Sequence, residues 1–277
     1  MASTTDGLRV LVTGAGSGIG AAIAVRLARA GYAVVGTVRD SARAQRLNDK
    51  ARLEALPLEY RVLDLALRDQ VEALASQLNA EGGIDVLVNN AGFGMYGALE
   101  DIEVDQVMRQ FQVNVFGPLL LTQRLLPGLR QRRGRVVWIG SLAGRQSLAF
   151  QGHYSATKAA IASISDALRM ELKSFGVRVT CVEPGDIASG FTGARVVVAG
   201  ERSCYAENAR RSLVAVEREE RRGPDSECVA RVVETLLTRR HPPSRIAAGR
   251  LGRTICLLLR LLPHAVGQFV AARRYGF

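Results

Sequence analysis

The sequence predicts an α/β fold: one doubly wound parallel sheet in a single domain, extended by helix at its C-terminus. Three observations carry the expectation. Short apolar runs alternate with longer polar stretches of helical spacing through roughly the first 190 of the 277 residues. The runs at 8–12 and 84–88 are apolar but for Arg9 and Asp85, close to the unbroken apolar runs of strands covered on both faces. A glycine turn, Thr13-Gly14-Ala15-Gly16-Ser17-Gly18-Ile19-Gly20, joins the first run directly to a helix.

The elements follow in order. A strand at 8–12 leads through the glycine turn into a helix at 21–30, closed by Gly31. A second strand covers 32–38 and a polar helix 41–55. A third strand at 58–63 ends at Asp64-Leu65, and a helix at 67–79 carries Val71, Leu74 and Leu78 at helical spacing before Gly82-Gly83 breaks it. The strand at 84–88 runs into Asn89-Asn90-Ala91-Gly92. Residues 102–132 read as one long helical stretch containing Asn114, bent or divided by Pro118 and Pro127. A strand at 135–139 is followed at once by Gly140-Ser141. The helix bearing Tyr154 extends to about 174, with a small-residue face of Ala159, Ala160, Ser163 and Ala167. A strand at 178–182 precedes Glu183-Pro184-Gly185-Asp186-Ile187. Residues 189–225 form a variable cover in which 217–222 reads as a solvated helix face. Phe191, residues 196–198 and Tyr205 there are open between substrate contact and packing. Asp225 or Ser226 caps a helix running to 240, ended by Pro242-Pro243.

Residues 1–249 are therefore expected as one domain and 250–277 as an amphipathic extension of it. In the extension Ile255, Leu258, Leu259 and Leu262 share a helical face before Pro263. Val266, Phe269 and Val270 continue it among Arg250, Arg253, Arg260, Arg273 and Arg274. Three readings are open: packing on the body or a sister subunit, a cover over an apolar pocket, or peripheral contact with an anionic membrane.

Composition narrows the function classes. Hydrophobic residues make up 48% of the chain, enough for a large core. Cys181, Cys204, Cys228 and Cys256 are scattered, and the three histidines lack ligand spacing, which argues against disulfides and zinc. The first seven residues hold no signal-peptide core, and no apolar run reaches the ~18 residues of a membrane span. A cytoplasmic location is expected. The net charge of +11 comes almost wholly from arginine, lysine occurring only at 50, 158 and 173. No basic, aromatic-interleaved motif accompanies it, so no nucleic-acid partner is expected.

Ligands of open parallel sheets bind beyond the carboxyl ends of the strands, and Gly14, Arg39, Asp64 and Asn90 stand at such ends. Glycines let a backbone approach a pyrophosphate, and the following helix start offers N–H groups to it. A site for NAD(H) has a carboxylate at the end of the second strand; here Val38 is followed by Arg39, which suits the 2′-phosphate of NADP(H), the other reading being a surface arginine paired with Asp40. Tyr154 and Lys158, four apart, share a helical face, where an ammonium favours phenolate and draws the tyrosine pKa downward.

Taken together, Thr13-Gly14-x-x-x-Gly18-x-Gly20, Asn89-Asn90-Ala91-Gly92, Asn114, Ser141, Tyr154-x-x-x-Lys158 and Pro184-Gly185 resemble the short-chain dehydrogenase/reductase family over about residues 7–190. Residues 89–100 and 182–187 look like its 17β-hydroxysteroid and retinol dehydrogenase-like branch. The resemblance implies a Rossmann-type fold and hydride transfer between a nicotinamide and a bulky hydrophobic ketone or secondary alcohol, steroid-, retinoid- or polyketide-like. It also implies a homodimer or homotetramer. It makes Tyr154 the general acid/base and gives Lys158 the tyrosine pKa and the nicotinamide ribose. Ser141 would polarise the substrate oxygen, and Asn114 would fix a helix kink and a water leading to Lys158. Gly14, Ser17, Gly18 and Ile19 would line the pyrophosphate, and Asp64 and Leu65 the adenine. Asn90, Ala91 and Gly92 would meet the cofactor sugars, and Pro184, Gly185, Ile187 and Ser189 the nicotinamide. Many relatives have Thr where Ser189 stands. His153 is open between substrate contact and pocket wall. Two other functions stay open, a reductase of carrier-bound 3-oxoacyl thioesters and a non-enzymatic NADP-binding module.

Overall fold

Strand and helix alternate along the chain as expected. The computed structural model describes residues 7–198, 203–249 and 264–274. Strands β1 (Arg9–Val12), β2 (Ala33–Val38) and β3 (Leu58–Val62) are joined by helices α1 (Gly18–Arg29) and α2 (Ser41–Leu53). Helix α3 (Arg68–Ala80) leads into β4 (Val86–Asn89), and a short β5 (Met95–Tyr96) follows. A helical rod returns the chain to the sheet: α4 (Val104–Phe111), a π-helical turn (Gln112–Phe116) and α5 (Gly117–Gln131). Next come β6 (Arg135–Ile139), α6 (Gly152–Glu171), β7 (Arg178–Pro184), α7 (Phe191–Ala194) and β8 (Val196–Val197). Helices α8 (Ala206–Arg222) and α9 (Glu227–Thr238), strand β9 (Arg245–Ala248) and a last helix (His264–Arg274) complete the described chain.

Seven strands make one parallel sheet in the order β3-β2-β1-β4-β6-β7-β9, while β5 and β8 pair in a separate ribbon. Strands wind outward in opposite senses from β1 and β4, so a crevice opens where these two end. The strict alternation of side chains divides the core between two faces. Val10, Val12, Val34, Val86, Val88, Val137, Ile139 and Val182 pack with α1, α2 and α9 on one side. Leu11, Val35, Leu87, Val136, Trp138, Val179 and Cys181 pack with α3, α5 and α6 on the other. Both faces are covered, which is why these strands read as nearly unbroken apolar runs.

Several expectations change. Neither proline divides the rod. Pro118 lies in the first turn of α5, directly after the π turn, and α5 continues through Pro127. The irregularity falls at Asn114 instead, where Gly117 N–H bonds Gln112 C=O in a π turn. Ser226 makes no side-chain cap on α9. Strand β9 was not anticipated: it is four residues long, mostly half-buried, and finds its place only by pairing with the edge of β7. Ile255, Leu258, Leu259 and Leu262 lie outside the described residues. In the last helix Val266, Phe269 and Val270 are exposed. Among the described residues no helix is long and apolar enough to cross a membrane.

At the sheet's edge Glu81 accepts from Arg61 Nη1 and Nη2 at 2.9 and 2.8 Å and also from Arg9. These hydrogen bonds hold its carboxyl well down, at about 2. Because the folded value lies below the unfolded one, the cluster's contribution is present above the ordinary carboxylate range and disappears as pH falls toward 2. Glu81→Gln should therefore show a flatter acid limb than the parent in urea unfolding followed from neutral pH to acid. Superimposable limbs would contradict the assignment.

Candidate active site

Two backbone segments meet at the ends of β1 and β4. Thr13 stitches them: its Oγ1 accepts from Asn90 N and Ala91 N, each at 3.0 Å, and donates to Val88 O. Asn90 Nδ2 donates back to Thr13 O at 2.9 Å. The contact is too close for side chains. A Cβ on Gly20 would lie 2.3 Å from Gly14 O, and one on Gly14 would lie 2.9 Å from Ala91 Cα. Gly14 is also held at φ +67, in the left-handed region. Helix α1 starts here without a side-chain cap from Ser17, so its first N–H groups keep their capacity for an anion.

The turn borders a cavity of about 1020 Å³. Gly14, Ser17, Gly18, Ile19, Arg39, Asp64, Leu65, Asn90, Ala91, Gly92, Pro184, Gly185, Ile187 and Ser189 all line it, and so do Ser141, Tyr154 and Lys158. A glycine cradle, an uncapped helix start and a large elongated set of strand ends fit a dinucleotide, with Asp64 and Arg39 far from Tyr154 in sequence but facing the same space. The last helix contributes Gly267, Val270 and Ala271 to the same lining.

Ser141 closes β6, and its Oγ accepts from Ala143 N at 3.1 Å. It also hydrogen-bonds the phenol of Tyr154. Lys158 lies one turn along α6, its Nζ 5.6 Å from the Tyr154 ring centroid and donating to Ile139 O at 2.9 Å. Both side chains are buried. Gly144 lets the Ser141 turn pack onto α6, since a Cβ there would lie 2.7 Å from the Lys158 carbonyl carbon. The expected lowering of the tyrosine pKa is reversed in this structure. Burial pushes Tyr154 up to about 12, with the Ser141 hydrogen bond opposing it, because taking a phenolate out of water outweighs a cation held on another acceptor. Burial likewise brings Lys158 down to about 8.

Asn114 does not line the cavity. It is buried behind it, in the π turn, and accepts from Phe93 N at 3.0 Å while donating to Phe93 O at 2.9 Å and Thr157 Oγ1 at 3.2 Å. Both amide hydrogens are thus used. The helix is irregular at Asn114, which stands in the π turn, and a link toward Lys158 would have to use its main chain, not its side chain.

Arg39 is exposed at the cavity, and the neighbouring Asp40 caps α2 by accepting from Arg43 N at 2.6 Å. Arg43 was missed by sequence reasoning. It lines the cavity, and its Nη2 donates to Gly16 O at 2.7 Å, which lays the guanidinium along the glycine turn. Its signal was present in the Asp40 cap, which turns the third residue of α2 back toward the turn. The solvated-face reading of 217–222 is corrected for part of its length. Glu219, Glu220 and Arg222 line the cavity, because Gly223 packs so tightly on Asp186 O that the end of α8 lies across the strand ends. Phe191 lines it as well, with its ring 5.5 Å from that of Tyr154. Residues 196–197 form β8, and Tyr205 stacks edge-on against Phe150. His153 is half-buried with Nε2 unpartnered among the described residues, and it does not line the cavity.

Comparison with known proteins agrees with this geometry. Residues 9–197 match the family model described as short chain dehydrogenase. A 3-ketodihydrosphingosine reductase of Bacteroides thetaiotaomicron is 35% identical over 245 residues, spanning 87% of this chain and 88% of the relative. Human retinol dehydrogenase 8 is 37% identical over 189 residues, 66% of this chain and 60% of its own length. Among solved structures, a short-chain dehydrogenase from Streptomyces avermitilis superposes with a TM-score of 0.82 at 32% identity, covering 99% of this chain and 98% of its own. One from Burkholderia phymatum in complex with NAD gives 0.80 at 27% identity over 94% of each chain.

The buried lysine makes a pH prediction. With its folded pKa at about 8, below the ordinary 10.5, its charge costs stability below pH 8, and the cost fades as pH rises toward 10.5. Relative to Lys158→Met, the parent should gain on the order of 3 kcal/mol of unfolding free energy across that window, measured by urea denaturation. A constant difference would show that Lys158 is not buried as a cation.

Proposed function

This chain belongs to the short chain dehydrogenase family, and from that premise we propose that it is an NADP(H)-dependent reductase of a bulky hydrophobic ketone, with Tyr154 as the proton donor. One observation carries the reading. Ser141, Tyr154 and Lys158 stand on the same cavity as the glycine turn and the uncapped start of α1. Bound there, the nicotinamide supplies the hydride that reduces the carbonyl carbon.

The chain's own residues do the rest. As the carbon is reduced, negative charge grows on the substrate oxygen, and Ser141 and Tyr154 meet it with hydrogen-bond donors. A phenol at about 12 is protonated at neutral pH, which is the form that donates. Lys158, at about 8, is still largely charged there, and its ammonium 5.6 Å from the ring offsets the charge left on the phenolate. Asn114 supports the site from behind by fixing the main chain at Phe93.

Phe93, Leu142, Leu148, Phe191 and Val216 line the cavity and support an apolar substrate. The likeness to a 3-ketodihydrosphingosine reductase over most of both chains supports a ketone substrate and the reducing direction. Two exposed guanidiniums, Arg39 and Arg43, support a coenzyme bearing a 2′-phosphate; Asp40, which lies between them on the same cavity, accepts from Arg43 N as the cap of α2. A similar structure holds NAD, so the coenzyme assignment rests on these two arginines.

Tyr154→Phe should lower kcat for ketone reduction by about 10²–10⁴-fold while NADPH affinity, followed by fluorescence, stays near the parent's. Retained turnover would remove Tyr154 from the mechanism. Arg39→Asp and Arg43→Ser should each reduce the ratio of kcat/KM for NADPH over NADH by roughly tenfold or more, the value of one charged hydrogen bond. An unchanged ratio in both would reject the phosphate site.

A further inference from the structure

Residues 191–198 invert the usual rule of burial. Val196 and Val197 are 42% and 47% exposed, whereas Arg195 is 7% exposed and its side chain only 1%. A charge buried so completely is costly unless it is paired. Arg195 Nη2 bonds Glu220 Oε1 on α8, and the other carboxylate oxygen accepts from Thr192 Oγ1 at 2.6 Å. Arg195 Nε and Nη1 find no acceptor among the described residues. Ring faces take that place: the guanidinium carbon lies 5.9 Å from the centroids of both Tyr96 and Phe191, within cation–π range of each.

The surroundings are built to admit this wedge. A Cβ on Gly94 would meet Phe191 Cζ at 2.9 Å and Arg195 Cγ at 3.8 Å. The β5–β8 ribbon runs beside it, with Val196 N donating to Gly94 O at 3.0 Å and Val198 N to Tyr96 O at 2.8 Å. Phe191 and Glu220 line the cavity, and Arg195 does not. Phe191 in turn packs on Tyr154.

We infer that Arg195 is a positioning residue: wedged between Tyr96 and Phe191 and tied to Glu220, it holds the substrate wall against Tyr154 and so sets how a bulky ketone is seated at the phenol. It acts through Phe191 and Glu220 and touches no reacting atom. It also neutralises Glu220, the carboxylate of this network that faces the cavity. The inference rests on the reading of Tyr154 as proton donor.

The test compares the parent with Arg195→Met, Arg195→Lys, Glu220→Gln and Tyr154→Phe. Each is assayed with NADPH and either cyclohexanone or 1-phenyldecan-1-one, for NADPH affinity by fluorescence, and for tryptic cleavage within residues 203–222. In Arg195→Met the KM for the long ketone should rise at least about tenfold and that for cyclohexanone less than about threefold, with NADPH affinity within about twofold. Cleavage should be several-fold faster. Arg195→Lys should recover part of the loss, and Glu220→Gln should show the same pattern at smaller size, standing in if Arg195→Met does not fold. Parental KM values, or equal losses on both ketones together with NADPH affinity, would overturn the inference. If neither ketone is turned over by the parent, cleavage decides, and an unchanged rate overturns it. Parental turnover by Tyr154→Phe would sink the proton-donor reading alone, because the KM difference and the cleavage rate are read without it.

Discussion

Everything in the cavity hangs on a backbone contact that leaves no room for side chains. Segments 13–20 and 89–92 close on each other through Thr13 Oγ1, which accepts two N–H groups and donates to Val88 O. The glycines at 14 and 20 are needed because a Cβ on Gly14 would collide with the Ala91 main chain, and one on Gly20 with Gly14 O and the Asn90 amide. Since β1 and β4 are where the winding of the sheet reverses, this contact also fixes where the crevice opens. Helix α1 then points an uncapped start at the cavity, and the ends of β6 and β7 deliver Ser141 and Pro184 to it.

Burial dominates the electrostatics of the reacting groups. Tyr154 and Lys158 are both withdrawn from water, so the tyrosine holds its proton and the lysine holds its own less tightly than in solution. The pair is suited to giving a proton to an oxygen that is gaining charge. Lys158 Nζ stands 5.6 Å from the Tyr154 ring, near where a phenolate charge would lie.

The substrate wall is made differently from the rest of the core. The sheet faces are filled by aliphatic side chains in alternation, whereas the wall near Tyr154 is fastened by an arginine between two rings and by a two-residue strand pair. Such a fastening is directional. It orients Phe191 where plain apolar packing would leave it free to slide, at the expense of burying a charge that must be matched by Glu220.

Local patterns were enough to reveal the alternating elements, the glycine turn, the strand-end residues and the Tyr154–Lys158 spacing, because period, turn chemistry and helical register act over a few residues. The sequence determined that the chain is a doubly wound sheet and which strand ends border the cavity. Other features depend on partners distant in the chain, and only the tertiary structure decided them. Strand β9 needed the edge of β7. The π turn of the helical rod falls at Asn114, whose amide pairs with Phe93 and Thr157. Arg43 belongs to the cavity through Gly16. A stretch that looked like a solvated helix face supplies Glu220 to a buried arginine 25 residues earlier in the chain. Desolvation likewise has no sequence signature, so the direction of the Tyr154 shift emerged only once the residues surrounding it were in place.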